Sequence, residues 1–242
     1  MTKQPVAVIA GVGEGLGYAL GKRFAKAGYN VALVARNAER LARLADDIKA
    51  AGGQAFAAPT DVRAEGEVIA LFDEVEADHG AVEAAVYNAG ANFRASILET
   101  PADMFEKVWK LGCYAGFLFA REAARRMTPR GKGTILFTGA TASVRGASHF
   151  AAFAAAKGGL RQVAQSMARE LAPKHIHVAH VVIDGMIDTA AVRARFPERV
   201  KEMPVGGMLD TDAIAEAFHS IHAQAPSAWT FETDLRPYSE KF

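Results

Sequence analysis

Short apolar runs alternate with longer segments of helical period along the whole chain. Runs at 6–10 (VAVIA), 30–35 (NVALVA), 54–58 (QAFAA), 82–87 (VEAAVY), 133–138 (GTILFT) and 177–183 (HVAHVVI) predict strands, with a weaker one at 228–231 (AWTF). Because these runs are continuously apolar rather than alternating, they fit strands covered on both faces. Between them, 39–50 (ERLARLADDIKA) sets Leu41, Leu44, Ala45 and Ile48 on one helical face. Alternating strands and helices imply right-handed crossovers and an α/β architecture, a doubly wound and mostly parallel sheet of seven strands flanked by helices. In TPADMFEKVW, Thr100 is predicted to cap a helix, Pro101 to take its first position, and Asp103 to favour the N-terminal dipole. That helix is expected to reach about Met127, ahead of the turn TPRGKG.

Composition narrows the picture. The 242 residues suit one well-buried domain, 1–242, and no repeat or linker divides them. Half are apolar and 23% charged, an ordinary globular balance. A formal net charge of +1 gives no general attraction to nucleic acid or acidic membranes, and neither is expected as a partner. The sole cysteine, Cys113, rules out an internal disulfide and suits a reducing cytosol. The apolar start MTKQPVAVIAGVG is broken by glycine too soon for a membrane span, so a soluble, cytoplasmic protein is expected.

Chemistry enters after the first strand. In AGVGEGLGYALGKRFAKAGY, Gly11, Gly15 and Gly17 are spaced GxxxGxG, with Leu16 opening the helix between the last two. Such a turn lets backbone amides and a helix N-terminus approach a pyrophosphate, which makes the domain Rossmann-like. The second strand ends in VALVARNAER. An acid at its tip would accept hydrogen bonds from the ribose hydroxyls of NAD, whereas Ala35 and Arg36 stand there. Arg36 suits the 2′-phosphate of NADP, and Glu14 in the glycine turn opposes it. NADP is therefore preferred over NAD.

With TDV at 60–62, YNAG at 87–90 and FxxxK at 153–157, in this order and spacing, the chain resembles the short-chain dehydrogenase/reductase family over almost its whole length. The resemblance implies that Asp61 and Val62 hold adenine and that Asn88, Ala89 and Gly90 line the cofactor. It implies a homodimer or homotetramer built from the helices around 101–127 and 150–172. It also implies a working set of Asn, Ser, Tyr and Lys, in which the tyrosine moves a proton to or from the substrate oxygen. A nearby ammonium would stabilise that phenolate.

Lys157 matches the lysine, with ribose hydroxyls to bind. Phe153 occupies the tyrosine position, Ala140 the serine position and Cys113 the asparagine position. Phenylalanine cannot donate a proton, and a lost acid costs about 10²–10⁴-fold in rate. Replacement groups are conceivable. His149 would lie one helical turn before Phe153 if the helix begins early enough. Thr141 and Ser143 follow the fifth strand near the vacant serine position, as hydroxyl donors or turn caps. Tyr114 carries a phenol on a helix, for chemistry or packing, and Cys113 reads as a buried filler.

The remaining features are weaker. His175, His177 and His180 diverge around a strand, so no metal site is expected. After the sixth strand the family usually continues Pro-Gly, whereas here Asp184 precedes the glycine. Ile187 and Thr189 fall where the backbone would meet nicotinamide. Residues 188–208 fall at the family's substrate lid, with Phe196, Met203 and Met208 for pocket or packing. Arg236 and Tyr238 in the tail suit an oligomer contact. The sequence thus points to an NAD(P)-binding oxidoreductase for a small carbonyl or alcohol with a degenerate site, or to a non-catalytic NAD(P) sensor or oligomeric partner.

Overall fold

The computed structural model describes residues 4–240. Seven strands form one sheet: β1 (Val6–Ala10), β2 (Asn30–Ala35), β3 (Gln54–Pro59), β4 (Val82–Tyr87), β5 (Gly133–Thr138), β6 (Ile176–Ile183) and β7 (Glu232–Leu235). The helices are α1 (Leu16–Lys26), α2 (Ala38–Ala50), α3 (Glu65–Glu74), α4 (Ala102–Trp109), α5 (Ala115–Met127), α6 (Ala151–Leu171), α7 (Ala190–Arg195), α8 (Pro197–Lys201) and α9 (Thr211–His222). The order is β3-β2-β1-β4-β5-β6-β7, and every pairing is parallel.

The continuous apolar runs are explained by two cores. On one face Val8, Tyr87, Ile135 and Phe137 pack with Phe119 of α5 and Leu160 of α6. On the other, Ile9, Leu33, Leu136 and Val181 pack with Leu20 and Phe24 of α1 and Phe218 of α9. Neighbours in one strand, such as Val8 and Ile9, thus bury into opposite layers, leaving no face for polar residues.

Three local expectations are corrected. The strand at 228–231 is displaced: Pro226–Ala228 forms a 3₁₀ turn, and β7 begins at Glu232. Trp229 instead stacks on His177 with ring centroids 4.8 Å apart, and the ladder starts where Glu232 comes opposite His180. Thr100 does not cap α4, because its hydroxyl donates to the Ser96 carbonyl at 2.7 Å; Pro101 stands at the cap position. The helix does run from 102 to 127, but through a π-turn, Lys110–Tyr114. Inside that turn the Leu111 carbonyl accepts the buried Tyr87 hydroxyl at 2.5 Å.

Among the described residues, no helix is long and apolar enough to cross a membrane. The segment between 188 and 208 is an excursion carrying α7 and α8. Its ends are closed by the Ile187–Leu209 bridge and by the Asp188 amide donating to the Leu209 carbonyl at 2.8 Å.

Candidate active site

The C-terminal ends of β1, β4, β5 and β6 converge on one edge of the sheet. Gly11 leaves β1 with φ +85°, which favours glycine. A Cβ there would fall 2.5 Å from the Ala89 nitrogen. The Asn88 side-chain amide donates to the Gly11 carbonyl at 3.2 Å, tying the glycine turn to the end of β4. Gly17 admits close crossing as well, since a Cβ would lie 2.6 Å from the Gly11 oxygen. α1 opens at Leu16 after Gly15, with no side-chain cap and no acid in its first turn. Its leading amides therefore remain available to an anion. A Cβ at Gly15 would fall 2.8 Å from the Thr189 methyl carbon, which brings the start of the 188–208 excursion over the turn. Thr189 is also committed locally, its hydroxyl accepting from the Val192 amide to cap α7.

At the tip of β2, Arg36 is exposed. Glu14, expected from the sequence to oppose a phosphate there, is paired with Arg43 of α2. The Asp61 carboxylate is gripped by Arg63, whose Nη2 lies 2.6 Å from Oδ2. Hydrogen bonding to Arg63 holds this carboxyl down at about 2, with the Arg36 charge adding to the effect. Asp61 is thus occupied by a neighbour that the sequence reading had not singled out. Val62 beside it is buried.

Lys157 projects from α6 into this edge and is only 5% exposed. Its ammonium donates to the Thr138 carbonyl at 2.7 Å and would lie 3.4 Å from a Cβ at Gly90. Burial pulls its pKa down to about 8. Phe153 sits one turn earlier on the same helix and is half-buried. Ala140 carries no hydroxyl; its amide donates to Ser143 Oγ at 3.1 Å, so Ser143 closes the turn after β5. Cys113 is buried where the π-turn meets α6, so close that a Cβ at Gly159 would lie 2.8 Å from its sulfur, and burial pushes its thiol pKa up.

The helix does not begin early enough for His149. α6 starts at Ala151, and His149 lies outside it in left-handed backbone conformation (φ 69°), exposed, with its carbonyl accepting from the Ala95 amide. The expected shared face with Phe153 is therefore absent. Asp184 is nearly buried and receives the Thr141 hydroxyl at 2.5 Å, with Arg236 at 3.4 Å, so it braces the loop after β6. Tyr114 stacks on Trp109. His177 and His180 face opposite sides of β6: one meets Trp229, the other Glu232.

A parallel doubly wound sheet with a glycine turn crossing from β1 to α1 defines a dinucleotide-binding fold. The sequence matches the short chain dehydrogenase family over residues 5–200. The chain belongs to the short-chain dehydrogenase/reductase family. It is 30% identical to the 3-oxoacyl-[acyl-carrier-protein] reductase of Bos taurus over 213 residues, 88% of each chain. A short-chain dehydrogenase structure from Rhodopseudomonas palustris superposes with a TM-score of 0.82 at 46% identity, covering 97% of this chain and 98% of that one. A metagenomic short-chain oxidoreductase solved in complex with NADP superposes with a TM-score of 0.81 at 25% identity, covering 96% and 97%.

Proposed function

We propose that this protein binds NADP(H) in preference to NAD(H) and is an oxidoreductase for a small carbonyl or alcohol, with a proton-transfer site too degenerate for ordinary turnover. The observation that carries the reading is Lys157, a buried ammonium beside Gly90 at the end of β4, the strand end on which the glycine turn before the uncapped α1 is closed through Asn88 and Ala89. These residues fit a nicotinamide dinucleotide. The amides at Leu16 and Gly17 would take the pyrophosphate, Arg36 the 2′-phosphate, Asp61 and Val62 the adenine side, and Ile187 and Thr189 the nicotinamide end. When bound, that cofactor supplies or accepts the hydride.

The chain's own residues then orient and protonate. Lys157 has one donor committed to Thr138, leaving the rest of its ammonium for ribose hydroxyls. No side chain here repeats the family's phenol, since Phe153 fills its place. Ser143 offers a hydroxyl near the vacant serine position, and His149, exposed in the loop before α6, is the replacement acid to test. A 3-oxoacyl thioester is the substrate class to test first, by likeness to the reductase named above.

The empty proton-donor position also supports a second reading, a non-catalytic NADP(H) sensor. An oligomer accords with both. Phe105, Trp109 and Phe117 are 38, 39 and 37% exposed along α4 and α5, a surface suited to a second copy.

Parallel fluorescence titrations with NADPH and NADH test the proposal. Arg36→Ala is expected to weaken NADPH about tenfold or more while leaving NADH unchanged. Equal losses for both would remove Arg36 from phosphate recognition. No saturable binding of either by the wild type would overturn the cofactor assignment.

A further inference from the structure

Behind Lys157 lies a chain of polar groups that the family's working set does not include. His180 of β6 is completely buried, with Nδ1 3.0 Å from Glu232 Oε2 on β7. Arg161, one turn beyond Lys157 on α6, grips the same carboxylate through Nε at 2.6 Å and Nη2 at 2.7 Å. Arg161 keeps Glu232 ionised by holding its pKa below the usual range. An ionised carboxylate only accepts hydrogen bonds, so His180 must donate from Nδ1, which leaves Nε2 a bare lone pair.

That nitrogen is buried without a hydrogen-bond partner among the described residues. It faces Gly139: a Cβ at that position would fall 2.4 Å from Nε2 and 2.5 Å from the neighbouring Cε1. The Gly139 amide is itself fixed, donating to the Val181 carbonyl at 2.7 Å. The peptide linking Thr138 to Gly139 is therefore held against β6 at two adjacent points, the Val181 carbonyl that accepts the Gly139 amide and the His180 imidazole packed on Gly139. Its carbonyl is the group that receives the Lys157 ammonium.

We propose that His180 is a positioning residue for Lys157: the Arg161–Glu232–His180 chain locks the Thr138–Gly139 peptide, and that peptide's carbonyl sets the ammonium's place and proton affinity. The inference rests on the cofactor-binding role proposed for Lys157. The charged groups facing His180 are Glu232 from β7 and Lys157 and Arg161 from α6. Burial, the leading cause, brings His180 down to about 4, so it stays neutral while Lys157 titrates. A hydrogen bond to the charged form raises the proton affinity of an amine, so loosening the Thr138 carbonyl must lower the pKa of Lys157.

The test is NADPH affinity measured by fluorescence over a series of pH values in wild type, His180→Asn and Glu232→Gln. Asparagine retains a donor toward Glu232 but removes the ring edge under Gly139. Glutamine removes the charge that orients the imidazole while keeping the side chain's size at a half-buried position, and serves as the second variant should His180→Asn fail to fold. Wild-type affinity is expected to fall as pH rises through about 8. In His180→Asn that midpoint moves to lower pH by about one unit, the order expected when a hydrogen bond to a charged group is weakened. In Glu232→Gln it moves the same way by less. Unshifted midpoints in folded variants, with only a lower melting temperature, would make the network merely structural and overturn the proposal. A wild-type affinity indifferent to pH would instead overturn the role of Lys157, and this inference with it.

Discussion

Phe153→Tyr combined with Ala140→Ser is expected to raise NADPH-dependent carbonyl reduction by about 10²–10⁴-fold, or roughly 3–5 kcal/mol of barrier. The substitution adds a phenol where a half-buried ring already stands, one helical turn before the buried ammonium of Lys157. A tyrosine near a positive charge becomes a better proton donor than its free pKa of about 10 allows. Serine at 140 restores a hydroxyl on the turn that Ser143 already closes. The measurement is NADPH oxidation with a 3-oxoacyl thioester, comparing wild type, both single variants and the double. Most of the gain should come from Phe153→Tyr, since it adds a phenol that can donate a proton. A double variant that binds NADPH yet stays at the wild-type rate would favour the sensor reading. Robust wild-type turnover lost on His149→Ala would show that the loop histidine had taken over the proton.

The sheet was legible because burial on both faces leaves its mark on composition. Runs such as VAVIA have every residue covered, and the two core layers account for both parities of side chain. The glycine turn was legible for a steric reason: at Gly11 and Gly17 any side chain would strike backbone. Lys157 was found through its spacing from the motifs around it. What escaped the sequence depends on groups that carry no residue signature. The partner of Lys157 is a main-chain carbonyl, Thr138, and any residue there would offer one. The Asp61–Arg63 pair needs a tight turn to bring adjacent charges together, and His180 became notable only when Glu232, far along the chain, arrived beside it. The last strand was misplaced because AWTF is apolar for another purpose, with Trp229 covering His177. Whether His149 shares a helix face with Phe153 is not legible, because periodicity does not reveal the left-handed residue that delays the start of α6.

Lys157→Met is expected to make the unliganded protein more stable while weakening NADPH about 10–100-fold at neutral pH. The opposing signs share one cause. Its pKa falls from an ordinary 10.5 to about 8, which sets the burial cost of the charge at ~3 kcal/mol near pH 7. Methionine has similar volume and no charge, so that cost vanishes. The Thr138 carbonyl then loses its partner, which returns about 1–2 kcal/mol. The net gain of about 1–2 kcal/mol should appear as a melting temperature higher by several degrees. The pH dependence follows from proton counting. Between about 8 and 10.5 the unfolded chain holds more protons at this lysine than the native protein, so wild-type stability rises with pH across that window. The advantage of Lys157→Met therefore shrinks from pH 8 upward. Its weak NADPH binding should show no break near 8, where the wild type loses affinity as the ammonium deprotonates. Thermal melts with and without NADPH at neutral and alkaline pH check all of this together. A variant less stable than wild type, with NADPH affinity intact, would mean that the ammonium serves the fold and not the ligand. The predicted outcome, stability exchanged for a charge held ready inside the cleft, is the behaviour of a binding residue.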